Sequence, residues 1–145
     1  MKSIIIKVKK LVREATLPTY AHQGEFGDLA ADLYAAEEVM LKPGEVGGIR
    51  TGIAVEFPPG FGGIVSDRSG LATRGFTTLA GVIDPGYRGE LRVVAANLGS
   101  ETIRVVAGDR IAQVLILEKI EARFEEANAL ETSERAEGGF GSSGR

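Results

Sequence analysis

The chain has 145 residues, a formal net charge of −3, 20 glycines, one histidine and no cysteine. That length suits one domain able to bury a core without staples, and the lack of cysteine excludes disulfides, thiolate zinc sites and thiol nucleophiles. A single histidine, His22, excludes a multi-histidine metal centre, and the slightly acidic balance argues against a broad nucleic-acid footprint.

A small anionic substrate remains compatible, since it needs only local arginines and backbone N–H groups. A metal would be a hard ion on carboxylates and substrate oxygens, with magnesium first. No apolar run approaches the roughly 20 residues of a membrane helix, and the N-terminal run is too short for a signal peptide, so no membrane association and a cytoplasmic location are expected. Glycine stands at about twice its usual share of roughly 7%, gathered in short blocks that suggest tight turns or backbone approaching a ligand.

In chain order, the run from Ile4 to Lys10 reads as a strand with a solvated basic end. In the block 26–36, Asp28 and Asp32 interrupt small apolar residues. Either both are surface carboxylates, the reading that suits Asp28 better, or one stands at a metal. Lys42-Pro43-Gly44 marks a turn. Ile53, Val55 and Phe57 alternate with Ala54 and Glu56 as in a half-buried strand, which Pro58-Pro59-Gly60 ends.

Ser66-Asp67-Arg68-Ser69-Gly70-Leu71-Ala72 predicts a short helix over 67–74, with Ser66 as N-cap and Gly75 as its stop. A helix start would turn unpaired N–H groups outward, an anion site strengthened by the Ser69 hydroxyl and the Arg68 guanidinium. The alternative is a capped structural helix with solvated polar residues.

Gly81-Val82-Ile83-Asp84-Pro85-Gly86-Tyr87-Arg88-Gly89-Glu90 reads as a hairpin whose tip carries a carboxylate and an aromatic ring. Asp84 either bonds its own turn or acts as a general base toward water. The run from Leu91 to Leu98, broken by Arg92 and Asn97, and the run from Val114 to Leu117 are expected to be strands covered on both faces. Between them Ile103 and Val105 alternate with Thr102 and Arg104.

Gly108-Asp109-Arg110-Ile111-Ala112-Gln113-Val114 leads from a turn into the last strand. Gln113 needs a partner there, either backbone or ligand. The stretch 122–130 carries Phe124, Ala127 and Leu130 at three-residue spacing and reads equally as helix or loop. Several short strands with regular turns and no internal repeat indicate an all-β sandwich or barrel.

The end of the chain, 135–145, is glycine-rich. Gly139, Gly141 and Gly144 match G-x-G-x-x-G, but that fingerprint must open a helix after a strand and only one residue follows, so a dinucleotide site is not expected. There is no Walker-type phosphate loop. The segment has too little apolar content to fold alone and is either a disordered end or a flap that orders on a ligand. As a flap it offers N–H and hydroxyl donors at Gly141 and Ser142, a ring at Phe140, and charge at Arg135 and Arg145.

Taken in order, the blocks 26–36, 66–72, 81–90, 108–114 and 135–145 resemble the five motifs of the trimeric deoxyuridine triphosphatase (dUTPase) family. The resemblance covers most of the chain. It implies a distorted jelly-roll β fold, a barrel or sandwich with one short helix, in which 1–137 form the β domain and 138–145 a flexible arm. It implies a homotrimer with active sites shared between subunits, each closed by the arm of one subunit. The activity it implies is magnesium-assisted hydrolysis of dUTP to dUMP and pyrophosphate, which keeps uracil out of DNA and supplies dUMP for thymidylate synthesis.

The resemblance also implies roles. Asp84 would activate water for attack on the α-phosphorus. Tyr87 would pack on deoxyribose and exclude a 2′-hydroxyl. Arg68, Ser69, Gly70 and Gln113 would bind phosphates, and Asp32 would approach magnesium through water. A hairpin over 78–92, including Thr78, Gly81, Val82, Ile83 and Arg92, would hold uracil largely through backbone groups. In the arm, Phe140 would stack on uracil, with Gly141 and Ser142 as donors and Arg135 near the terminal phosphate.

Two positions depart from the family pattern: Asp67 stands where proline is common, and Thr78 where many members have asparagine. Rival readings are dCTP deaminase, which resembles dUTPase in fold, a non-catalytic trimeric binding module, and a hydrolase built on His22, which no nucleophile motif accompanies.

Overall fold

The computed structural model describes residues 2–144. Ten strands and one helical turn follow in order: β1 Lys7–Lys10, β2 Ala31–Tyr34, β3 Val39–Leu41, β4 Val46–Glu56, β5 Phe61–Ser66, α1 Ser69–Ala72, β6 Phe76–Thr78, β7 Val82–Ile83, β8 Glu90–Asn97, β9 Ile103–Val105 and β10 Arg110–Glu118. They form two four-stranded sheets, ordered β1-β4-β8-β6 and β2-β10-β5-β7, and a small β3-β9 pair. The described pairings are antiparallel. The all-β, jelly-roll expectation holds.

Alternation explains how the sheets close on one core. Ile49 and Ile53 of β4, Val93 of β8, Leu33 of β2 and Ile111 of β10 are fully buried together with Phe76. On β9, Ile103 and Val105 face inward while Arg104 faces water, as the sequence pattern predicts.

Two runs expected to be covered on both faces are only partly so; on β8 Ala95, Ala96 and Asn97 are buried in succession, but the rest of each run is covered on one face. On β8, Leu91, Val93 and Ala95 are buried but Val94 is 37% exposed; on β10, Val114 is buried but Leu117 is 44% exposed. Among the described residues the second face of these strands is left open at Val94 and Leu117.

The helix expected over 67–74 is reduced to α1. Arg68 takes the N-cap position in extended conformation, and no side chain caps the turn. Ser66 cannot cap it because it belongs to β5, paired with Gln113. Gly75 does stop it, at φ +91° with its N–H on the carbonyl of Ala72. Residues 122–130 form neither helix nor strand. Phe124 and Leu130 stand in solvent there, and an apolar stripe with nothing to pack against does not sustain a short helix.

One glycine fixes the shape of the first sheet. The β4–β8 register shifts between Arg50 and Ala54, and Gly52 lies in that bulge at φ +68°. Its carbonyl accepts the Leu11 N–H at 2.7 Å and its own N–H donates to Glu90 Oε2 at 3.0 Å. A Cβ at this position would lie 2.5 Å from Val12 Cγ2 and 3.1 Å from the Ala36 Cβ. Gly52→Ala is therefore expected to cost about 3 kcal/mol, combining a left-handed alanine with overpacking. Denaturant unfolding measures this, and a loss below about 0.5 kcal/mol, as at an ordinary surface site, would contradict the assignment.

Candidate active site

The central rung of the second sheet sets the first part of the site. Gln113 on β10 lies opposite Asp32 on β2 and Ser66 on β5, so the three side chains project from the same face. An open cleft of about 810 Å³ lies over them, lined also by Asp28, Arg68, Ser69, Gly70 and Arg110.

Arg68 Nε meets Asp32 Oδ1 at 2.9 Å, and Arg110 Nε lies 3.7 Å from Oδ2. Arg68 Nη1 also donates to the Arg110 carbonyl at 3.4 Å. Two guanidinium groups on one largely buried carboxylate leave a net positive charge with spare N–H donors toward the cleft, the chemistry that binds phosphate. Gln113 Nε2 donates to the Asp67 carbonyl at 2.6 Å. The backbone partner that a polar residue needs in this strand is thus present, and its second amide hydrogen remains for a ligand.

Asp28 and His22 stand together at the lip of the cleft. The His22 N–H donates to Asp28 Oδ2 at 2.9 Å, and its ring Nδ1 lies 3.2 Å from Oδ1. The backbone bond from His22, helped by the imidazole contacts and opposed by burial, holds the Asp28 carboxyl below its usual range.

The second part of the site is the hairpin. Between β6, in the first sheet, and β7, in the second, the chain crosses from sheet to sheet at residues 79–81. Leu79 N–H donates to the Val94 carbonyl and Val65 N–H to the Gly81 carbonyl, each at 2.8 Å. In the crossing Ala80 takes φ 60° and Gly81 φ 118°. A Cβ on Gly81 would lie 2.8 Å from the Val65 carbonyl oxygen, so the backbone needs glycine here.

A concavity of about 260 Å³ opens beside the crossing, lined by Gly81, Val82, Ile83, Asp84, Tyr87 and Arg92 among others. Tyr87 is fixed by its hydroxyl, which donates to the Glu90 carbonyl at 2.9 Å. Asp84 is exposed at the start of the turn, and its carboxylate accepts no hydrogen bond from the described residues. It is free to hold water.

Asp67 and Thr78, the two departures from the family pattern, touch each other. Asp67 accepts from Thr77 Oγ1 at 2.8 Å, from the Thr78 N–H at 2.6 Å and from Thr78 Oγ1 at 2.7 Å. Burial pushes its carboxyl up, but the bonds from Thr78 and Thr77 outweigh that and leave it below the usual value. The carboxylate faces β6 and is not among the residues lining the cleft.

The glycine-rich end supplies the remaining candidates. Arg135 Nε donates to the Gly138 carbonyl at 2.7 Å and the Gly139 N–H to Ser142 Oγ at 2.7 Å. Phe140 is fully exposed. Hydrogen bonds made by 131–144 stay within that stretch. Arg145 lies outside the described residues.

The chain thus brings Asp32, Arg68, Ser69, Gly70 and Gln113 into one cleft, and Gly81, Val82, Ile83, Asp84, Tyr87 and Arg92 into a second concavity. Arg135, Phe140, Gly141 and Ser142 join neither. Sequence reading missed Arg110 as a cleft residue; its signal was its place three positions before Gln113 in an otherwise apolar strand. Among the described residues, no three carboxylate or imidazole side chains gather to hold a metal. Asp32, already ion-paired, offers one carboxylate, a donor set that fits a hard cation arriving with phosphate oxygens of its own.

Comparison with known proteins gives the family and the fold. The dUTPase family model matches residues 13–144. The deoxyuridine 5′-triphosphate nucleotidohydrolase of Solibacter usitatus is 48% identical, covering 97% of this chain and 96% of that protein. The Clostridium kluyveri protein of the same name is 46% identical over 94% of this chain and 96% of its own. Among solved structures, the dUTPase of Staphylococcus bacteriophage 80alpha with dUPNHPP superposes with a TM-score of 0.85 at 28% identity, covering 99% of this chain and all of that one.

Proposed function

The chain belongs to the dUTPase family, and on that premise we propose that it is a dUTP diphosphatase in which Asp84 activates the attacking water. The observation that carries the reading is the cleft where Arg68 and Arg110 converge on Asp32 beside the Gln113 amide and Ser69. It offers guanidinium, amide and hydroxyl donors to a chain of phosphates.

The hairpin takes the nucleoside. Backbone groups of 79–83 read the base edge, and a narrow hairpin would reject thymine by its methyl group. Tyr87, locked by its hydroxyl bond, packs on the sugar and leaves no room for a 2′-hydroxyl. Asp84 takes a proton from water as the water oxygen bonds to the α-phosphorus. The bond from that phosphorus to the bridging oxygen breaks, and pyrophosphate leaves. Arg68 and Gln113 stabilise the charge that develops on the phosphates.

Asp32 would hold a magnesium ion through water, with substrate phosphates completing its ligands. Such an ion neutralises charge on the departing pyrophosphate.

The family resemblance implies a homotrimer, and a cleft and a hairpin concavity that share no lining residue suit a working site assembled between its subunits. Open apolar side chains at Val82, Val94 and Leu117 suit such an assembly. The arm 138–145 closes the site, stacking Phe140 on uracil and bringing Arg135, Gly141 and Ser142 to the phosphates. No described helix is long and apolar enough to cross a membrane; a cytoplasmic enzyme clearing dUTP before DNA synthesis and supplying dUMP for thymidylate is the setting this reading implies.

Pyrophosphate release with magnesium from dUTP, dCTP, dTTP and UTP in parallel tests the proposal. Release from dUTP alone is expected. Release from none of them would move the reading to a non-catalytic nucleotide-binding module, and ammonia from dCTP would move it to a deaminase.

A further inference from the structure

We propose that Asp67 is a positioning residue for the phosphate-binding segment, and that Thr77 and Thr78 act through it as its anchors. The inference rests on the reading of the cleft as the triphosphate site and extends it to a residue that does not line it.

Asp67 stands at the junction of three parts of the molecule. It follows Ser66, the last residue of β5, and precedes Arg68-Ser69-Gly70. Its carboxylate binds three donors on β6, in the other sheet, at 2.6 to 2.8 Å. Its carbonyl, at the same time, receives the Gln113 amide at 2.6 Å. One residue therefore fixes both the direction in which the phosphate segment leaves β5 and the orientation of Gln113.

The segment needs such a tether. The helical turn α1 has no side-chain cap and buries none of its residues, and Ser69 and Gly70 are exposed. A proline at this position, common in the family, would restrict the backbone through its own ring, at φ near −65°. Here an ordinary residue is held from outside by charge-assisted bonds, which are about twice as strong as neutral ones. The departures at 67 and 78 are thus a single device, since each supplies the other's partner.

Kinetics on the full-length protein test this with Asp67→Ala, Asp67→Asn, Thr78→Val and the Asp67→Ala/Thr78→Val double variant. For Asp67→Ala, KM for dUTP and the inhibition constant of pyrophosphate should both rise about tenfold, with a smaller change in kcat. Asp67→Asn keeps an oxygen acceptor for Thr78 and should stay within about threefold of the unaltered protein. Thr78→Val removes one of the three bonds to the carboxylate and should raise both constants by a smaller factor, and the double variant should be no worse than Asp67→Ala alone. Unchanged KM in Asp67→Ala, a fall in kcat with thermal stability but not in phosphate affinity, or multiplying losses in the double variant would each overturn the proposal. An unaltered protein inactive on dUTP would fail the underlying reading and this inference with it. An active protein indifferent to Asp67→Ala fails the inference alone.

Discussion

Asp84→Asn is expected to bind dUTP with near-normal affinity and to hydrolyse it about a thousandfold more slowly, within the range that a positioned general base contributes. The substitution keeps the shape of the side chain and removes only its ability to take a proton. Because Asp84 is exposed and its carboxylate serves no described hydrogen bond, the fold should not register the change. Stability should remain within about 0.5 kcal/mol of the original. Single-turnover pyrophosphate release, measured beside binding of a non-hydrolysable dUTP analogue, separates the two effects. Near-normal turnover would remove Asp84 from its role; lost binding with lost turnover would make it a ligand contact instead.

Deleting 138–145 is the second large effect. The truncated chain should fold and assemble as before, because hydrogen bonds made by 131–144 stay within that stretch. Activity should nevertheless fall about a hundredfold, the scale of losing a closing segment that aligns reactants and excludes water. Size-exclusion chromatography and thermal unfolding verify that the body is intact, and dUTP turnover gives the effect. Full activity without the arm would show that the site closes by other means. Phe140→Ala in the intact chain should reproduce only part of the deficit, since it sacrifices only a stacking surface.

Much of the fold was legible because strand periodicity is local. Ile103, Arg104 and Val105 declare their faces without help from any distant residue, and Gly75 ends α1 by its own conformational freedom. What escaped the sequence depended on partners far along the chain. Ser66 looked like an N-cap, but a ladder to Gln113, 47 positions away, claimed it for β5. Val94 and Leu117 looked doubly buried because an apolar residue carries no mark of whether its own chain or another covers it. The contact between Asp67 and Thr78 was invisible for the same reason: each read as a separate departure until the sheets brought them within hydrogen-bonding distance.

Site chemistry followed the same division. The resemblance to the family motifs named Asp84, Tyr87, Arg68 and Gln113 together as site candidates, whereas the distribution of these residues over two concavities is a property of topology. Arg110 shows the limit, for an arginine opening a strand is ordinary until its guanidinium is seen beside Asp32.

The crossing at 79–81 has a consequence for how such a protein can change. Its shape is set by Ala80 and Gly81, both at positive φ, and by backbone hydrogen bonds to Val65 and Val94 on either side. At the crossing itself the concavity is lined by Ala80 and Gly81, which offer little side chain for point mutation to rewrite. A β-branched or bulky replacement at 80 or 81 would strain the turn before it altered what the turn selects. On the proposed reading of this hairpin as the base pocket, lineages carrying it should drift freely on their outer faces while base preference stays fixed, and a new preference would require an insertion or deletion that reshapes the loop.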